Sequence, residues 1–132
     1  MSSNDNNKLR WQCDKQGCFN TKKRPKLEVF YDLLPGKIAI GDIDGIVEIN
    51  SKFLILEYKG YGVPLPKGQQ IMYERLTKIA PFTVIVVAGD CETMETKEYF
   101  IYYNGACGKT KQTNLGGLRD LVGRWVSWAK NQ

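Results

Sequence analysis

Residues 53–59, Phe-Leu-Ile-Leu-Glu-Tyr-Lys, begin with four apolar residues and then place Glu57 and Lys59 two apart. A period of two marks a strand and places Phe53, Ile55, Glu57 and Lys59 on one face, Leu54, Leu56 and Tyr58 on the other. Residues 43–49 carry a similar signal, and the Asn50-Ser51-Lys52 turn brings them back antiparallel against the first run. Asp44 and Glu57 stand about equally far from that turn, so they become neighbours across the ladder. Residues 82–88, Phe-Thr-Val-Ile-Val-Val-Ala, are unbroken apolar, as a central strand covered on both faces requires. A helix separates them from the Glu57 strand, which predicts a parallel pair with a right-handed crossover. Residues 37–40 are expected to open the sheet, and residues 97–103 to add a strand toward its edge with its aromatics packed.

Three segments follow a helical period instead. Residues 25–34 start with Pro25, end at Pro35-Gly36 and carry an apolar stripe of Leu27, Phe30, Tyr31 and Leu34. Residues 66–79 place Gln69, Met72, Tyr73 and Leu76 on one inner face, so that the Gln69 amide points at the sheet. Leu115, Leu118, Leu121, Val122, Trp125, Val126 and Ala129 form a closing amphipathic helix. Trp125 and Trp128 read as core and edge packing, with an exposed Trp128 as the mark of a dimer surface. Residues 104–114 form a loop; its Gly108-Lys109-Thr110 lacks the upstream glycine and preceding strand of a phosphate loop. The class is α/β, a central mixed sheet flanked by helices, in the order helix-strand-strand-strand-helix-strand-strand-helix. Residues 25–132 make one domain, preceded by an arm of residues 1–24.

Charge sharpens the division between arm and body. The net charge is +5, and the first 26 residues hold the whole excess, seven cations against Asp5 and Asp14. Lys22, Lys23, Arg24 and Lys26 lie where the arm joins the body and suit a polyanion, since phosphate contacts supply affinity independent of sequence. A solvated terminus is the competing reading for residues 1–10. The chain has no histidine, which excludes imidazole acid-base catalysis and histidine-centred nuclease motifs. Cys13 and Cys18 supply half of a candidate zinc knuckle, with Cys91 and Cys107 the candidates to complete it; free thiols are the alternative. No run is long enough to span a bilayer and residues 1–7 are polar, so a cytoplasmic protein is expected.

The polar residues of the central strand fall where packing alone would not put them. Glu57 and Lys59 follow two apolar residues on one face, and Asp44 joins them from the next strand. Carboxylates that close repel unless a divalent cation lies between them, and hard oxygen donors suit Mg2+ or Mn2+. Asp42 shares a strand face with Asp44, so either is a candidate ligand.

In order, Gly41-Asp42-Ile43-Asp44, then Glu57-Tyr58-Lys59, then Gly60-Tyr61-Gly62 and onward to Gln69 resemble the motifs of the PD-(D/E)xK nuclease superfamily. The run from Lys59 to Gln69 is similar to that of its virus-type replication-repair nuclease (VRR-NUC) domains, many of them phage-encoded. Ile43 stands where the family's Gly-x-Pro-Asp has proline. The likeness covers residues 25–88. It implies a restriction-endonuclease-like core and a metal-dependent DNA endonuclease that selects branched, flapped or junction DNA by shape. Asp44, Glu57 and the Tyr58 carbonyl are then the ligands of Mg2+, for which Mn2+ would substitute, and Lys59 the group that orients water or stabilises developing charge. Gln69 and Glu28 would support the metal and its water; otherwise Glu28 merely complements a helix dipole. Tyr61 is placed to stack on a base or sugar and Lys67 to meet phosphate. Similar small members act as dimers, so the resemblance admits a homodimer; if the chain is phage-encoded, the host cytoplasm is its compartment. Two other readings compete: a DNA-binding module of the same fold with a zinc-stapled arm, and a viral accessory protein whose fold only echoes the nuclease.

Overall fold

In a computed structural model the described residues are 27–132. The chain divides into two units, Met1–Ile40 and Gly41–Gln132. Of the first, the described part is a 3-10 helix, Leu27–Leu33, a turn at Gly36 (φ 56°) and an irregular segment to residue 40. This corrects two expectations. The α-helix over residues 25–34 is a 3-10 helix, because Val29, Phe30 and Tyr31 are indifferent α-formers and seven residues are too few for a cooperative α-helix. Phe30 and Tyr31, expected in a buried stripe, are exposed. Residues 37–40 form no strand: Ile38 donates its N–H to the Pro35 carbonyl in a turn, the segment joins no ladder, and Ile38 and Ile40 are exposed.

The second unit is built on a mixed sheet. β1 (Gly45–Ile49) and β2 (Lys52–Lys59) are antiparallel, joined by Asn50 and Ser51 at φ 50° and 65°. Two consecutive positive φ values describe the tight hairpin turn whose twist matches its strands. Helix α1 (Lys67–Ile79) crosses over to β3 (Phe82–Gly89), which pairs parallel with β2, as its unbroken apolar run predicted. β4 (Thr96–Tyr103) returns antiparallel to β3. A Cβ at Gly89 would meet the Glu95 carbonyl oxygen, so only glycine fits that irregular end of the ladder.

Residues 104–114 are more ordered than a loop. Two short strands, β5 (Ala106–Cys107) and β6 (Lys111–Gln112), both pair with β4. Asn104 and Gly105, at φ 53° and 84°, make the β4–β5 turn, and Asn-Gly is the strongest short hairpin signal. Cys91 and Cys107 are free and exposed; Cys13, Cys18, Lys22, Lys23, Arg24 and Lys26 lie outside the described residues. Helix α2 (Leu115–Lys130) closes the chain, its start capped by the Asn114 side chain accepting from the Gly117 N–H. At its other end the Asn50 amide donates to the carbonyls of Ala129 and Lys130, tying α2 to the β1–β2 turn.

The helices divide the core. On the α2 face Leu54, Ile85 and Val87 pack on Leu118, Trp125 and Ala129. On the α1 face Ile55, Val84 and Val86 pack on Leu65, Tyr73 and Tyr102. The observed class is α/β, a mixed sheet flanked by helices. No helix among the described residues is long and apolar enough to cross a membrane.

Candidate functional site

The site lies on the α1 face at the end of β2. Strand alternation puts Glu57 there because its neighbours Leu56 and Tyr58 pack on the α2 face. The residue following Leu56 in the ladder faces the residue preceding Gly45, so Asp44 stands opposite Glu57 where β1 begins. There the Asp44 side chain replaces the missing strand: its Oδ2 accepts the Tyr58 N–H at 2.7 Å. Asp44 itself is exposed, whereas Glu57 retains only 6 % of its accessible surface.

A carboxylate so buried needs partners. Both come from α1, where residues 69 and 73, four apart, share one helical face. The Tyr73 hydroxyl donates to Glu57 Oε2 at 2.8 Å, and the Gln69 amide reaches Oε1 at 3.4 Å. Tyr73 is fully buried, packed near the Tyr102 ring at a centroid separation of 5.7 Å. Burial raises the Glu57 pKa; the Tyr73 hydrogen bond opposes that, and the negative charges of Asp44 and Asp42 raise it further. Burial and Glu57 together hold the Tyr73 hydroxyl well above the usual phenol range. Burial and Asp44 likewise raise that of Tyr58.

The structure therefore brings Asp44, Glu57 and Gln69 together, with Asp42 close enough to act on Glu57. Lys59 is half-buried two residues further along the same strand face and forms no ion pair with any described residue. Tyr61 is exposed on the β2–α1 loop, and Lys67 is exposed as the first residue of α1. Gln70 instead supports the start of that helix, donating to the Leu65 carbonyl at 2.7 Å. Met72, expected on the inner face, is exposed; Thr77 takes its place and accepts the Gly105 N–H at 3.1 Å. Glu28 belongs to the 3-10 helix of the first unit. The contact that sequence reasoning missed is Tyr73 to Glu57. Its signal was present in the four-residue spacing from Gln69, which aims both side chains at one acid.

Carboxylates are hard oxygen donors, the kind that Mg2+ and Mn2+ take. Asp44 and Glu57 stand opposite one another on paired strands, Asp42 adds its negative charge to theirs, and no described cation pairs with them. Among the described residues no three acidic or thiol side chains gather to hold a metal. A cation here would rest on Asp44, Glu57, main-chain oxygen and water, which is how Mg2+ is commonly held. No protein-family model, curated protein or solved structure matches this chain.

Proposed function

We infer that the protein is a divalent-metal-dependent DNA endonuclease of the VRR-NUC type, with Asp44, Glu57 and the Tyr58 carbonyl as metal ligands and Mg2+ or Mn2+ as the ion. The observation that carries this reading is the buried Glu57, opposed by Asp44 across the ladder and held by Gln69 and Tyr73. Bound there, the ion would polarise a phosphodiester and acidify a water. Gln69 and Tyr73 fix the Glu57 carboxylate, and ligand orientation of this kind sets metal affinity. Lys59, on the same strand face without a described ion-pair partner, supplies a cation for charge that develops on phosphate. The exposed Tyr61 and Lys67 flank the β2–α1 loop and are free to meet the nucleic acid backbone. No helix among the described residues carries a row of base-reading side chains, so selection by DNA shape fits better than selection by sequence.

One observation favours a second reading, a DNA-binding module without catalysis. Both Glu57 oxygens and one Asp44 oxygen already accept hydrogen bonds within the protein. Cleavage of labelled single-stranded, duplex, flap and four-way-junction DNA in Mg2+, Mn2+ or EDTA separates the two. The nuclease reading expects metal-dependent cutting that falls about 100- to 1,000-fold in Lys59→Ala. Binding without cutting in any metal, unchanged in Lys59→Ala, establishes the binding module.

A further inference from the structure

On the opposite face of the sheet, α2 leaves a hollow of about 310 Å³ beside its C-terminal half. Ile85, Ile101 and Leu121 form its apolar floor, and Tyr103, Trp128 and Arg124 stand around it. Tyr103 and Trp128 keep 56 % and 41 % of their surface exposed, although residues 97–103 were expected to pack their aromatics. Trp125 completes the wall; its ring lies 6.5 Å from that of Trp128, and its buried indole N–H has no partner among the described residues. Arg124 lies one helical turn before Trp128 and pairs with no described acid. The helix as a whole carries Arg119, Arg124 and Lys130 against Asp120 alone.

An apolar floor bounded by exposed rings and an uncommitted guanidinium matches one chemistry closely: a flat aromatic base on a phosphate chain. Rings supply stacking that any base satisfies, and arginine supplies the phosphate contact. We propose that this hollow is a base-stacking site for single-stranded nucleic acid, with Trp128 as the stacking platform and Arg124 as the phosphate contact. It rests on nucleic acid being the partner, as in the reading above, but lies on the other face from Glu57. A nuclease acting on flaps or branched ends would hold the unpaired strand here, away from the bond it cuts.

The test is the fluorescence anisotropy of a labelled oligothymidylate about ten nucleotides long in EDTA, beside an abasic chain of equal length. EDTA removes cleavage from the readout, so failure of the stacking site and failure of the nuclease reading appear in separate experiments. The wild type should prefer the oligothymidylate. Trp128→Ala should abolish that preference, weakening oligothymidylate binding about 5- to 150-fold per stacked base, while Trp128→Phe keeps most of it. Arg124→Gln should lower the salt slope of binding by about one. Both replaced side chains are exposed, and thermal melts of the variants verify folding. The proposal is overturned if Trp128→Ala retains the base preference with Arg124→Gln leaving the salt slope unchanged. It is equally overturned if the wild type shows no preference, or if sedimentation reveals a dimer that Trp128→Ala dissolves without any oligonucleotide bound, which would make the face a self-association surface.

Discussion

On the α2 face Leu54, Ile85, Val87, Leu118 and Ala129 meet, and the side chains packed against them, Tyr58 and Tyr99 included, bring no carboxylate. On the α1 face Ile55, Val84 and Val86 pack with Tyr73, whose hydroxyl donates to the buried Glu57 carboxylate. Both helices pack on one sheet, and their burial serves opposite ends. Burial on the α2 face removes apolar surface from water and stabilises the fold. The same burial on the α1 face works against an ionised Glu57 and raises its pKa. Apolar cover over an acid costs stability that an apolar residue of similar size there would often not cost.

The contrast is most easily broken by exchanging a residue from each face. Leu54→Ala opens the dry core and should cost about 2–5 kcal/mol in urea unfolding, with the midpoint lowered and the slope unchanged. Mg2+ affinity should remain close to wild type, since Leu54 points away from the site. Tyr73→Phe should do the reverse. It keeps the ring in place, deprives Glu57 of its shorter hydrogen bond, and should weaken Mg2+ binding about 10- to 100-fold in calorimetric titration. If Leu54→Ala damages metal affinity as much as Tyr73→Phe, the two faces are not separable.

A smaller effect should appear in the pH dependence of stability without metal. Because the folded Glu57 pKa is raised above its ordinary 4.5, the folded chain holds a proton that the unfolded chain releases. The stability this contributes is complete below pH 4.5 and is lost as the pH rises through the folded value. Urea midpoints of wild type in EDTA should therefore fall relative to those of Glu57→Gln over that range, and saturating Mg2+ should reverse that fall by favouring the ionised carboxylate. Equal profiles in EDTA would mean that Glu57 feels no net burial.

Much of this was legible in residues 43–59. Alternation assigned Glu57 and Lys59 to the face opposite Leu54, Leu56 and Tyr58, and the distance from the Asn50-Ser51 turn set Asp44 across from Glu57. The unbroken run of residues 82–88 foretold the parallel partner of β2. Alternation reports which side of a strand a residue takes; it does not report whether the strand finds a neighbour. Residues 37–40 look like a strand and join no ladder, whereas residues 106–107 and 111–112 are too short to alternate and do join one. Tyr73 was hidden for a related reason: its ring fits the helical period of a core residue, and the period says nothing of the hydroxyl at its end. Asp44 holds a further surprise, since it ends the ladder by accepting the Tyr58 N–H, a structural service independent of metal.

Cation binding at the Asp44–Glu57 pair underlies the proposed chemistry, and Mn2+ titration followed by electron paramagnetic resonance measures it without requiring cleavage. Wild type should bind Mn2+ with immobilisation of the ion and a rise in melting temperature that grows with its concentration. Asp44→Asn and Glu57→Gln should each lose both effects while remaining folded. Mn2+ bound equally by wild type and both variants, or by none of them, would contradict the account.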